Sequence, residues 1–555
     1  MKNPIPANPA MTDTLLFEHF TTLATAPDGI AGLRELILQL AVQGKLGTQD
    51  VGDEPASELL ETVKKQIRKI SSDGSREKEI SPFDEHKIPF ILPKNWVWTQ
   101  IGTICTPTQY GWTTQGSTTG KIHLLRTTDI TSGNINWDTV PYCSEVPTDL
   151  EKYLITDGDI VISRAGSVGE SHLIKNPKKS VFASYLIRFK PMINRDYFAF
   201  FLKSPYYWSV ISDESLGTGV PNVNATKLRN CYFPLPPLAE QHRIVVKVNQ
   251  LMTLCDELEA RQQLERAGCL KLGTASLAGL QNAESPEEFG RQWAQVCDAF
   301  DLILDCPENV AVLRQTILQL AVQGRLVRQD PGDEPASKLL SKEKNDPVQT
   351  TDIPFDLPSG WIGTRCVSLC EKNRIITYGV IKLGSEISDG VPVLRSSDVK
   401  FLHINDFKVK RIDPSIAAQY QRTFLNGGEI VINVRGTLGG IAVVPRFMKG
   451  YNISREVAVI PIISKISEKY IAYALASPFC QNWLSKNLKG IAYSGINIAD
   501  LKLLPVPLPP LTEQHRIVAK VDALMALCDA LESRLKERAG VQARLAGAVV
   551  KQVAG

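Results

Sequence analysis

Arg126 and Arg395 each stand three residues before an aspartate, in the matching stretches Leu125-Arg126-Thr127-Thr128-Asp129-Ile130 and Leu394-Arg395-Ser396-Ser397-Asp398-Val399. A guanidinium clamps phosphate or carboxylate through paired N–H donors. Each arginine is therefore either a contact to a polyanion or half of an internal ion pair. Residues 108–121 (TQYGWTTQGSTTGK) form a polar loop bearing Gln109, Tyr110, Gln115 and Lys121, and its more basic counterpart carries Arg374 and Tyr378. Arg164 and Arg435 lie in the glycine-bounded stretches GDIVISRAGSVG and EIVINVRGTLGG. These ten residues are the candidate contacts, with the loops 218–224 and 493–497 as further ones. If the polyanion is DNA, lysine and arginine suit phosphates, while arginine at guanine and glutamine at adenine read base edges.

Bond-making chemistry finds no such residues. An amino-methyltransferase needs a glycine-rich cofactor loop and an Asn/Asp-Pro-Pro-aromatic tetrad for the flipped base; Asn3-Pro4-Ile5-Pro6 is the nearest match and is wrong. No GxxxxGK[ST] phosphate loop is present. His242 and His515 occupy one helix position twice and read as helix-surface or contact residues, not metal ligands. The chain is therefore expected to be no enzyme, with no catalytic residue, metal or cofactor of its own.

Charge divides unevenly. Residues 90–235 hold 14 Lys+Arg against 11 Asp+Glu, and residues 353–508 hold 19 against 11, while the whole chain is only +3. Seven of the eight tryptophans lie in those two blocks. Basic, aromatic-bearing blocks on an acidic remainder suit a polyanion-binding protein. The proline-bearing N-terminus does not read as a secretion signal, and no run approaches the roughly 20 apolar residues of a membrane span. The eleven cysteines include no CxxC pair, so reduced, buried thiols in a cytoplasm are expected.

The elements that position these blocks are written twice. Residues 33–60 return at 313–340, and residues 234–261 at 507–534, with 21 of 28 positions identical in each case. The blocks between them diverge but keep one skeleton: the IPFxLPxxW entries ending at Trp96 and Trp361, Tyr110-Gly111 and Tyr378-Gly379, and Gly166/Gly169 with Gly436/Gly439. Their short β-branched runs predict strands. The second repeat predicts a helix over 238–262, with Ile244, Val248, Leu251, Cys255 and Leu258 at heptad spacing, and Ile517, Val521, Leu524, Cys528 and Leu531 in the copy. Two identical seams are expected to pair antiparallel with each other. The repeat order further places the last helix beside the helix at Leu33, with the termini close.

The expected class is α+β: two mixed α/β domains separated by long antiparallel coiled-coil helices, in a pseudo-two-fold internal repeat. The segments are 1–87 (helical region and charged linker), 88–235 (first variable domain), 236–352 (central helical region), 353–508 (second variable domain) and 509–555 (C-terminal helix).

The doubled ILQLAVQGKL and PLPPLAEQHRIVAKVDALMALCDALE segments resemble the conserved regions of the specificity subunit of type I restriction–modification enzymes. The GDIVISRAGSVG, EIVINVRGTLGG and IPFxLPxxW stretches are similar to that family's target recognition domains. The resemblance runs from about Phe17 to the C-terminus. An extension before the first repeat and a longer first linker (64–87 against 341–352) depart from symmetry. The resemblance implies a subunit whose two recognition domains read the halves of an interrupted double-stranded DNA site while the conserved helices set the spacer. It implies two methyltransferase subunits as partners and translocase-nuclease subunits in the cleaving complex. S-adenosylmethionine and ATP are then expected on those partners. Two other readings stay open from the residues alone: a DNA-modifying enzyme acting by itself, and a coiled-coil scaffold with protein-binding variable domains.

Overall fold

The computed structural model describes residues 23–71, 80–131, 133–215, 222–340, 350–436, 438–488 and 495–554. Phe17 and Phe20, residues 72–79 and 341–349 of the two charged linkers, and residues 218–221 and 493–494 of the two loops lie outside the described residues. Five helices carry the frame: α1 (Gly29–Val42), α2 (Leu238–Asn282), α3 (Pro286–Asp298), α4 (Pro307–Val322) and α5 (Leu511–Ala554). At 45 residues, α2 far outruns the predicted end at Gln262, and α5 has 44 residues. Beyond Gln262 the helix keeps an apolar stripe: Leu277 and Leu280 are buried with Val296, Ile303 and Leu304, which holds the helix despite Gly268, Gly273 and Gly279.

The chain folds as two units, one comprising residues up to Gln263 with those from Arg538 onward, the other Leu264–Glu537. Helix α2 starts in the first unit and ends in the second, and α5 makes the passage in the opposite sense.

In the first unit Ile244, Val248 and Cys255 are buried in one core with Leu33, Ile37, Leu40 and Ala41 of α1, and Leu251 and Leu258 pack against it. In the second, Ile517, Val521 and Cys528 are buried with Ile317, Leu318 and Ala321 of α4, flanked by Leu524 and Leu531. Each seam is thus covered by the short repeat helix of its own unit, which corrects the expectation that the two seams pair with one another. The reason is that α1 and α4 carry apolar faces that must also leave water, and a long-helix seam of matching length satisfies both. A bridging arginine edges each contact, one nitrogen reaching two carboxylates: Arg34 Nη2 to Asp256 (2.6 Å) and Glu259 (2.8 Å), and Arg314 Nη2 to Asp529 (2.7 Å) and Glu532 (2.9 Å). Within the first unit the end of α5 also reaches α1. Ala546 and Val549 join that core, and a Cβ on Gly32 would touch Val550 at 3.3 Å. This is the neighbour the repeat order demands.

Each strand-rich block opens and closes on one antiparallel ribbon, Val97–Gln100 with Tyr232–Leu235 and Ile362–Arg365 with Pro505–Leu508. Chain entry and exit therefore lie side by side on the frame. Beyond the ribbon lie two small sheets per block. The principal one has the order Gln109–Tyr110, Leu186–Phe189, Ile160–Ser163, Ser171–Leu173, and it recurs as Thr377–Tyr378, Val457–Ile460, Ile430–Asn433, Ile441–Val443. The central strands Ile160–Ser163 and Ile430–Asn433 are buried throughout, as their unbroken apolar runs require.

Candidate nucleic-acid interface

The residues that repeat most strictly are the ones that lock each block to its helices. Trp96 donates its indole N–H to the Glu240 carboxylate at 2.8 Å, and Trp361 does the same to Glu513 at 2.9 Å. Next along the helix, Gln241 accepts from the Asn194 backbone N–H (3.0 Å) and Gln514 from that of Ser467 (2.9 Å). From the short helices, Gln39 accepts from the Tyr206 N–H (3.0 Å) and Gln319 from that of Phe479 (2.9 Å). Both glutamates are almost fully buried. Burial pushes their carboxyls above the ordinary range, partly offset by the indole donors and by Thr48 or Gln329. His242 takes a contact role, its Nδ1 lying 3.0 Å from Asn194 Nδ2.

On this platform the candidate contacts separate into two groups. Arg126 is gripped by Asp129 through two guanidinium bonds (3.0 and 2.8 Å), and Arg395 by Asp398 (3.0 and 3.1 Å). These are the internal ion pairs, one of the two alternatives, and the aspartates push both guanidinium pKa values up. Arg374 binds Glu429 (2.6 Å) and the Phe424 carbonyl (3.1 Å). Gln109 is half-buried in the sheet, where its side-chain oxygen accepts from Arg188. Arg188, which also approaches Asp159 (3.5 Å), was missed by the sequence reading. Its signal was a charge inside the apolar strand Leu186–Phe189.

The second group faces outward. Tyr110 and Tyr378 are 40% and 45% exposed at equivalent strand ends. Their following glycines are steric necessities: a Cβ on Gly111 would fall 2.2 Å from the Phe182 and Ala183 carbonyl oxygens, and one on Gly379 1.8 Å from that of Ile453. The Tyr110 hydroxyl accepts from the Ala225 N–H at 3.0 Å, and the Arg164 guanidinium lies 5.2 Å from its ring centroid. Gln115, Lys121 and Arg435 are exposed. In the first unit the structure thus brings together Tyr110, Arg164 and the residues leading into Ala225–Asn230. The turns beyond the central strands rest on Gly166 (φ 83°) and Gly436 (φ 73°), a conformation that favours glycine. Among the described residues no group of three or more His, Cys, Asp or Glu could hold a metal ion, and no helix is long and apolar enough to cross a membrane.

The profile of the "Type I restriction modification DNA specificity domain" matches residues 93–266 and 386–539. The chain is 29% identical to the type I restriction enzyme EcoEI specificity subunit of Escherichia coli, over 94% of this chain and 93% of that protein. It is 28% identical to the EcoAI specificity subunit of the same organism, with the same coverage of both chains. Among solved structures it is similar to the HsdS subunit from Thermoanaerobacter tengcongensis, with 21% identity, 84% of this chain and 98% of that one covered, and a TM-score of 0.41.

Proposed function

The chain belongs to the type I restriction–modification DNA specificity family, and we propose that it is the subunit that selects the DNA site for such a system. One observation carries the reading: two units share the same locking bonds, Trp96–Glu240 and Trp361–Glu513 among them, yet present different outward residues. A frame repeated bond for bond serves one task twice, and divergent surfaces serve two targets. Residues 88–235 and 353–508 are then the readers of two half-sites. Catalysis resides on partner subunits, which bring S-adenosylmethionine for methylation and ATP for cleavage, and the working compartment is the cytoplasm. The assembled complex should bind a duplex bearing its interrupted site, with affinity falling steeply as salt rises, because neutralised phosphates release counterions. Equal affinity for scrambled duplexes would sink the reading.

Two copies of the methyltransferase subunit are the expected partners. Each unit has an apolar groove between its short and long helices, about 290 Å³ beside Leu33, Ile37, Leu251 and Leu254 in the first. In the second it is about 950 Å³, running past Leu313, Ile317, Leu524 and Leu527 to Leu280, Phe289 and Trp293, which have no counterpart in the lining of the first. Leu33, Ile37, Leu251 and Leu254 are equivalent to Leu313, Ile317, Leu524 and Leu527 in the repeat, and Leu254 and Leu527 remain 53% and 66% exposed. Large apolar side chains held in water at matched positions mark matched docking surfaces. Leu254→Asp or Leu527→Asp alone should leave a complex with one methyltransferase copy, and the double variant none, as read by native mass measurement. A wild-type complex with a single copy, or single variants that keep two, would contradict the assignment.

A further inference from the structure

Three of the five candidate arginines are paired with carboxylates of their own domain, Arg126 with Asp129, Arg374 with Glu429 and Arg395 with Asp398. The remaining two occupy the same turn of the two domains, one residue apart. The backbone fixes the equivalence. Arg164 donates its N–H to Tyr185 O (2.9 Å) and accepts from Val223 N (3.1 Å), while Val434 donates to Glu456 O (2.9 Å) and accepts from Ile496 N (2.9 Å). The next residues form the bridges Ala165–Asn222 and Arg435–Gly495. Position by position, Arg164 corresponds to Val434 and Ala165 to Arg435.

Neighbouring residues in extended backbone project to opposite sides, so the two domains offer a guanidinium from different faces of one turn. Arg164 is braced over Tyr110, and its buried Nε has no hydrogen-bond partner among the described residues. Arg435 is exposed, and its stem lies against Gly495, where an added Cβ would sit 3.0 Å from Arg435 Cγ. Neither has a carboxylate partner among the described residues.

We propose that Arg164 and Arg435 determine specificity, each donating two N–H bonds to the O6 and N7 edge of a guanine in its own half-site. The inference rests on the DNA-recognition reading above. It assigns the difference between the half-sites to an arginine displaced by one residue on a shared turn, and a braced guanidinium fits the paired acceptors of guanine in the major groove.

The test uses the assembled complex, a duplex carrying its mapped site, and the same duplex with 7-deazaguanine at single positions, which removes the N7 acceptor. Wild-type binding should fall about tenfold to hundredfold at one guanine of each half-site. Arg164→Ala should show a similar loss on the unmodified duplex and no further loss at its own guanine, while keeping the sensitivity of the other half-site. Arg435→Ala should show the reverse pattern. Arg164→Met keeps an apolar stem over Tyr110, so a matching loss there excludes misfolding as the cause. A half-site without guanine, unchanged binding, or a loss that leaves the 7-deazaguanine sensitivity intact would overturn the proposal, the last marking a phosphate contact. Wild-type binding that ignores sequence altogether would overturn the DNA-recognition reading itself.

Discussion

Seven residues inserted into both long helices, after Gln263 in α2 and after Glu537 in α5, should lengthen the unread spacer of the DNA site by about three base pairs. These are the points where each helix leaves one unit for the other, so the insertions leave the locking bonds and the buried seams of both units unaltered. Seven residues add about 10 Å of helix and return the side chains to nearly the same phase. At 3.4 Å per base pair, 10 Å corresponds to about three base pairs. Three base pairs also turn the duplex by more than about a quarter of its 10.5-base-pair repeat. The new optimum should therefore be weaker than the original, although clearly preferred over it. Methylation mapping reads the change directly as a wider gap in the motif. An unchanged gap with full activity would remove the helices from the role of ruler.

The second large effect is expected at the indole–carboxylate locks. Glu240→Ala leaves the Trp96 N–H buried without its acceptor, and Glu513→Ala does the same to Trp361. An orphaned buried donor costs about 1–3 kcal/mol, a large share of the stability of a domain. Replacing both partners by apolar residues, as in Trp96→Phe with Glu240→Leu, should cost much less than Glu240→Ala alone. Denaturant unfolding checks this, and equal losses in the single and double variants would contradict it. The same carboxylates set a pH dependence. Burial raises their folded-state pKa, so the folded state holds the proton more tightly than the unfolded chain. Their contribution is fully present below the ordinary glutamate value and is lost as pH rises through the raised folded one. Glu240→Gln with Glu513→Gln should flatten that part of the stability profile.

The repeat made much of this architecture legible. A duplicated sequence with heptad spacing gives long helices twice, and two blocks with a shared skeleton give two related sheets. The partner of each seam was not legible, since Ile244 and Ile517 report only that something apolar covers them. Helix α2 overran its predicted end because Leu277 and Leu280 pack on Val296, Ile303 and Leu304, a contact that no local spacing announces. Trp96 and Glu240 were both visible as repeated residues, but 144 positions separate them, and no local pattern joins residues that distant. The candidate contacts divided for a similar reason. Arg126 carried its carboxylate three residues away in plain sight, whereas the Glu429 partner of Arg374 and the Arg188 partner of Gln109 lie 55 and 79 positions away in the chain. The one-residue displacement between Arg164 and Arg435 follows already from aligning Gly166 and Gly169 with Gly436 and Gly439, and the backbone hydrogen bonds of the two turns match it.

The most direct measurement of the central claim is a genome-wide map of methylated adenines in cells carrying the intact system, compared with cells in which residues 353–508 are exchanged for the corresponding domain of a relative. The parent is expected to show one interrupted motif. In the exchanged strain one half should change, while the other half and the gap stay as they were. Methylation that persists without this chain, a continuous motif, or an exchange that alters both halves would contradict it.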